Sequence, residues 1–210
     1  MQGRSIEAFS RPGQRGARTA LILGGFHGDE PKSVFVCRQL IELLGREPQT
    51  ATDVAWVIVP EVNPDGLAIR TRRNANRVDL NRNFPTSNWT VGSRRSRMFG
   101  GTVPASEPET RAAIRLIERV RPDWIITIHS IGAGRFCNNY DGPALRLSRA
   151  MHRLNRYPVR RSIGYPTPGS FGSWAGIERR IPTLTLELPS LHSRKRCWED
   201  NRLALLSARP

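Results

Sequence analysis

The sequence predicts an α/β protein in which a sheet with parallel strands at its centre is sandwiched by helices. Three observations carry this. Runs of strand length alternate with stretches of helical period along all 210 residues. The strand runs are apolar and β-branched, as expected of strands buried in a sheet. The polar residues of chemical interest fall just past strand ends, where ligands gather in open α/β sheets. No internal repeat and no Pro/Gly/Ser-rich linker divides the chain, so one domain over 1–210 is expected, a length that one core can serve.

The first strand is 19–23, running into Gly24-Gly25. A helix follows over 31–44, with Val34, Val36, Cys37, Leu40, Ile41 and Leu44 at helical spacing, Pro31 in its first turn and Gly45 as its stop. The run 54–59 is a second strand, stopped by Pro60. Segment 63–104 is rich in Gly, Pro, Asn and Arg with little periodicity, and long irregular segments of this kind are usually functional. Ser106-Glu107-Pro108-Glu109 reads as a capping box that opens a helix reaching about Val120. A third strand over 123–128 ends in His129, 142–156 reads as helix, 181–188 as a fourth strand, and 198–206 as a short terminal helix.

The 33 Lys and Arg against 18 Asp and Glu give a net charge of +15, but 38 % hydrophobic residues exclude a disordered polybasic tail. Only Lys32 and Lys195 are lysines, which fits a general arginine bias better than a selected phosphate-binding surface. The basic clusters are not interleaved with stacking aromatics, so no specific nucleic-acid partner is expected. The charge favours a small anionic substrate. Cys37, Cys137 and Cys197 cannot all pair and lack CxxC spacing, which excludes a disulfide scaffold and fits reduced thiols in the cytoplasm. No secretion-type apolar stretch follows the N-terminal residues, and no run is long enough to span a membrane.

His27-Gly28-Asp29-Glu30 follows the first strand and His129-Ser130 the third. An imidazole and a carboxylate three residues apart converge on one ion where the loop turns sharply, as Gly24, Gly25 and Gly28 allow. Two histidines, one carboxylate and an open position describe a catalytic zinc site, although the same set suits other divalent ions. Between them lie anion receptors: Asn63-Pro64-Asp65-Gly66, then Arg70, Arg72, Arg73 and Asn76, then Asn81-Arg82-Asn83 bracketed by Leu80 and Phe84. Glu187 stands at the C-terminal end of the fourth strand, where a carboxylate is costly unless it binds a metal or acts as a base.

HGDE, NPDG, VDLNRNFP, TIHS, GYPTPGSFGSWAG and TLELP, in this order from about Gly3 to Leu206, resemble the zinc carboxypeptidase family, and within it the bacterial murein peptide amidase branch. The resemblance implies a mixed eight-stranded sheet with helices on both faces and one zinc ion. It implies that His27, Glu30 and His129 are the zinc ligands and Glu187 the general base. It further implies that Asn81 and Arg82 hold the substrate's terminal carboxylate, Arg72 polarises the scissile carbonyl with Arg73 in reserve, and Tyr165 caps the substrate. The reaction implied is release of terminal meso-diaminopimelate from γ-D-glutamyl-linked murein peptides during cell-wall recycling. Arg77 stands where the family pattern usually has glycine, which allows for a rebuilt turn, and Gly172 falls where side-chain selectivity is set in digestive carboxypeptidases. Competing readings are a metallocarboxypeptidase on α-linked peptides, an amino-acid deacylase on the related fold, and a non-catalytic basic protein binding nucleic acid or anionic surfaces.

Overall fold

A computed structural model describes residues 2–132 and 134–210. One sheet runs through the molecule, built from β1 (Phe9–Arg11), β2 (Arg18–Leu23), β3 (Val54–Val59), β4 (Trp124–Ile131), β5 (Cys137–Asp141), β6 (Val159–Arg160) and β7 (Thr183–Pro189). Their spatial order is β1-β3-β2-β4-β7-β5-β6. The four central strands, β3, β2, β4 and β7, are parallel, while β1 joins β3 and β5 joins β7 antiparallel.

The expected class is thus observed with seven strands among the described residues rather than eight. Four of the seven, β2, β3, β4 and β7, are the expected apolar runs, and β1, β5 and β6 are short strands that sheet pairing adds. Most of the remainder is helix or the Gly-, Pro- and Arg-rich segment between β3 and the helix at 108, whose pattern lacks the alternation an extra strand would need.

The helices are α1 (Pro31–Arg46), α2 (Pro64–Ala68), α3 (Pro108–Val120), α4 (Leu145–Asn155) and α5 (Arg194–Leu206). Side chains alternate across each strand, and the core divides accordingly. Ala20 and Ile22 of β2 join Val36, Leu40 and Leu44 of α1, Leu147 and Met151 of α4 and Leu205 of α5. Leu21 and Leu23 join Phe26, Leu80, Phe84, Phe171, Trp174 and, from α3, Ala113 and Ile117.

Three helix starts depart from expectation for local reasons. The capping box does not form. Pro108 takes the first helical position of α3, so Glu107 is the N-cap and Ser106, one residue too early, donates instead to the Glu107 carboxylate at 2.7 Å. The helix expected over 142–156 begins at Leu145, since Gly142 is left-handed (φ 61°). The terminal helix begins at Arg194 because Ser193 accepts a hydrogen bond from the Arg196 N–H, a proper N-cap.

Two glycines bring the HGDE and NPDG loops together. A Cβ on Gly28 would lie 2.0 Å from the Gly66 carbonyl carbon, so no side chain fits between the two backbones. Asn63 holds the pair from below: its Oδ1 accepts from Gly66 N–H at 2.9 Å, and its Nδ2 donates to the Phe26 carbonyl at 3.2 Å.

Candidate metal centre and substrate cavity

The C-terminal ends of β2, β4 and β7 open into a cavity of about 720 Å³ whose lining includes His27, Glu30, Arg72, Asn81, Arg82, His129, Tyr165 and Glu187. All eight candidate site residues therefore share one cavity. Hydrogen-bonded register sets two of them side by side, His129 on β4 opposite Glu187 on β7.

His27, Glu30 and His129, all buried, form a group able to hold a metal ion. His27 Nδ1 lies 2.7 Å from Glu30 Oε1, His129 Nδ1 lies 3.1 Å from Glu30 Oε2, and the two Nδ1 atoms are 3.2 Å apart. Two ring nitrogens facing each other this closely need a proton or a cation between them. A tetrahedral ion with bonds of ~2.0–2.1 Å separates its ligand atoms by ~3.3 Å, close to the spacing here. The set of two imidazoles and a carboxylate is also one that zinc accepts. The residues fit the group.

Asp79 builds the support behind this centre. Fully buried, it accepts from His27 Nε2–H at 3.0 Å, from Arg72 Nε–H at 2.9 Å and from the Asn81 N–H at 3.0 Å. With one proton held on Nε2 by Asp79, Nδ1 is the ring atom that would ligate an ion beside Glu30. Burial by itself would raise the Asp79 carboxyl, but His27 and Arg72 hold it well below the usual carboxylate range. Glu30 behaves likewise: burial is outweighed by His27 and by hydrogen bonds from both histidines, and the Ser130 N–H adds another at 3.0 Å. The sequence contains Asp79 within VDLNRNF, but its role depends on neighbours 52 residues away and on the Arg72 loop, which composition does not reveal.

The three crowded arginines separate cleanly. Arg72 lies over the centre, with Nη1 3.5 Å from Glu30 Oε1. Arg73 turns away to the carbonyls of Arg94 and Ser96, and Arg70 is exposed. Arg77 adopts the left-handed conformation (φ 61°) that favours glycine, so the backbone of this turn is one a glycine would take unstrained.

Arg82 is 4 % exposed, yet no carboxylate lies within salt-bridge distance of it among the described residues. Its Nη1 donates to the Asn81 carbonyl at 2.6 Å, and its Nε has no partner. Asn81 Oδ1 accepts from the Phe171 N–H at 2.8 Å, which leaves the Asn81 amide nitrogen for the cavity. A buried guanidinium without a counter-ion is a receptor for an anion. Tyr165 stands at the rim, its ring 5.9 Å from the Arg135 guanidinium carbon. Glu187 is 7 % exposed, and burial, reinforced by Glu30, pushes its carboxyl up to about 8 in the metal-free protein. Glu178, the acidic residue nearest to Glu187 in sequence, accepts from the Ser87 N–H and does not line the cavity.

The chain is similar to several known proteins. A family model described as zinc carboxypeptidase matches residues 1–142. Murein peptide amidase A of Escherichia coli K12 is 37 % identical over 186 residues, covering 83 % of this chain and 73 % of that protein. The enzyme of the same name from Vibrio campbellii is 35 % identical over 183 residues, 81 % of this chain and 69 % of that one. The crystal structure of the murein-tripeptide amidase of E. coli O157 superposes with a TM-score of 0.73 at 32 % identity, covering 96 % of this chain and 86 % of that one. Bovine thrombin-activatable fibrinolysis inhibitor, at 21 % identity, shares the fold with a TM-score of 0.78, covering 97 % of this chain and 82 % of that one.

Proposed function

The chain belongs to the zinc carboxypeptidase family, and from that premise we propose that it hydrolyses the γ-D-glutamyl–meso-diaminopimelate bond of murein peptides and releases the terminal diaminopimelate. The observation that carries this reading is the buried Arg82 guanidinium, free of a counter-ion, in the same cavity as a metal-ligating trio and a buried carboxylate. An enzyme that cuts internal bonds has no need to bury an unpaired cation; one that removes a terminal residue must bind a free carboxylate.

His27, Glu30 and His129 would hold one zinc ion. Zinc, when bound, supplies the Lewis acidity that makes water a nucleophile near neutral pH. Glu187 takes a proton from the attacking water and returns it to the leaving amine, a role suited to a carboxyl whose pKa burial has moved toward neutrality. Arg72, anchored by Asp79, turns its guanidinium to the negative charge that develops on the carbonyl oxygen. Asn81 and Arg82 grip the terminal carboxylate, which sets the scissile bond beside Glu187, and Tyr165 closes over it. Murein tripeptides carry several carboxylates, and a +15 chain attracts them.

The whole chain serves as one catalytic unit in this reading. Three free, buried cysteines suit a reducing compartment, so we place the reaction in the cytoplasm, on recycled cell-wall peptides. Among the described residues no helix is long and apolar enough to cross a membrane. The test is to incubate zinc-loaded protein with L-Ala-γ-D-Glu-meso-diaminopimelate and with an α-linked peptide of the same terminal residue. Free diaminopimelate from the first, released much faster than from the second, is the expected result. Preference for the α-linked peptide would make the protein an ordinary metallocarboxypeptidase.

A further inference from the structure

We propose that Met98 is a peroxide-sensitive modification site: its oxidation to the sulfoxide sets a strong acceptor against Arg82 and closes the carboxylate clamp of the cavity until the sulfoxide is reduced. The inference rests on the reading of Arg82 as the group that holds the substrate's terminal carboxylate, and adds a reversible control of that group.

Arg82 Nη2 donates to Met98 Sδ at 3.7 Å. A thioether sulfur is a weak acceptor, so this contact leaves the guanidinium open to any better one. Met98 lines the same cavity as Asn81, Arg82 and Glu187 and is 48 % exposed. The chain beyond it is strapped to the clamp. Asp79 N–H donates to the Phe99 carbonyl at 2.8 Å, Asn83 Nδ2 donates to the Gly100 carbonyl at 2.8 Å, and a Cβ on Gly100 would fall 2.3 Å from the Arg82 carbonyl oxygen. These neighbours fix the Met98 backbone beside Arg82, and the flexible thioether reaches the rest of the way.

The other sulfurs are shielded. Met151 and the cysteines Cys37, Cys137 and Cys197 are all fully buried. Burial also raises each thiol, so none offers the thiolate that peroxides attack. Among the described residues, Met98 therefore carries the exposed sulfur, and it carries it in the substrate cavity.

In the reaction a lone pair of Met98 Sδ attacks one oxygen of hydrogen peroxide. The S–O bond forms as the O–O bond breaks, and the departing hydroxide takes the proton from the transferred oxygen and leaves as water. Sulfur loses two electrons and peroxide gains them. The sulfinyl oxygen concentrates negative charge on the atom that already faces Arg82. Turned toward Nη2 it falls ~2.7–2.9 Å away, a charge-assisted hydrogen bond made without displacing either backbone. A substrate carboxylate must then displace this oxygen before it can be gripped, so binding weakens. Thiol-dependent reduction of the sulfoxide restores the thioether and the open clamp.

The experiment treats zinc-loaded enzyme with hydrogen peroxide and compares kcat/KM on L-Ala-γ-D-Glu-meso-diaminopimelate before and after, within each of the wild type, Met98→Leu and Arg82→Ala. Peptide mass mapping should place an added oxygen on Met98 ahead of Met151 and the cysteines. Wild-type kcat/KM should fall ~10-fold or more, mainly through KM, and return on treatment with methionine sulfoxide reductases A and B and a thiol reductant. Met98→Leu should keep its own rate through the treatment. Arg82→Ala, although oxidised at Met98, should change by less than ~2-fold, since the clamp is already gone. Met98 left unoxidised, an unchanged rate with Met98 oxidised, or an equal loss in Met98→Leu or Arg82→Ala would overturn the proposal. Free-acid and amidated tripeptides cleaved at equal rates before oxidation would refute the terminal-carboxylate reading by itself. Comparison of the wild type with Arg82→Ala would still decide whether Met98 acts through Arg82, and an α-linked peptide carries the same series if the γ-linked one is not cleaved.

Discussion

Replacing Asp79 by asparagine tests the support of the metal centre most directly. Asp79 accepts three hydrogen bonds with two oxygens, from His27, Asn81 and Arg72. Asparagine has one acceptor oxygen and one NH₂ group. If its oxygen serves His27 and Asn81, its NH₂ meets the Arg72 Nε–H, donor against donor, and Arg72 leaves its station over Glu30. If the amide is reversed, its NH₂ meets His27 Nε2, and the ring can accept only by moving its proton to Nδ1, the atom that faces Glu30. Losing one charge-assisted hydrogen bond costs ~1.5–3 kcal/mol. That agrees with the ~10–100-fold loss of metal affinity that follows removal of a partner behind a ligating histidine. Competition against a chromophoric chelator measures it. In the metal-free wild type, burial would lower His27, but Glu30 and Asp79 raise it to about 9, so below that pH zinc must displace a proton. Asp79→Asn lowers this pKa and eases the competition, so part of the loss is hidden at pH 7 and the whole of it emerges at ~pH 9.5. Unchanged zinc affinity at both pH values, with unchanged turnover, would refute the reasoning.

Glu187→Gln should retain zinc and lower turnover by ~10²–10⁴, and the acid limb of the wild-type kcat/KM profile should lie above the ordinary carboxylate range but below about 8, since a bound cation lowers a neighbouring carboxyl. A carboxyl raised on folding makes metal-free protein less stable as pH rises from ~4.5 toward about 8, so thermal melts should show Glu187→Gln more stable than wild type near the top of that window and indistinguishable below it. Arg82→Ala and amidation of the substrate's terminal carboxylate should each cost ~2–5 kcal/mol in kcat/KM and much less in combination, because they delete one interaction; equal cleavage of free and amidated substrates would remove the terminal-carboxylate reading. Arg77→Gly should raise stability in urea by ~0.5–1 kcal/mol, as it relieves a left-handed conformation at a small cost in chain entropy, and a loss would show that the Arg77 side chain contributes more than its backbone strain costs.

The features legible in the sequence are those that short-range physics dictates. The central strands carry continuous apolar runs because both faces of the sheet are covered, and α1 carries its buried residues at helical spacing because one stripe meets that sheet. The candidate metal trio was legible because His27 and Glu30 share one loop and His129 follows a strand run, and the fold brings the three together. Tertiary structure decided the rest. Strand β5, one in from the edge, reads Cys-Asn-Asn-Tyr-Asp, and the edge strand β6 has two residues, so neither has an apolar pattern to betray it; pairing to β7 makes the first a strand, and pairing to β5 the second. Which of Arg72 and Arg73 faces the cavity depends on how a loop turns, with Asp79 holding the first and the carbonyls of Arg94 and Ser96 the second. Asp79 gains its meaning from a group far away in the chain, a histidine 52 residues before it. A carboxylate's function is set by the charges and dielectric around it, and only the folded chain brings those together.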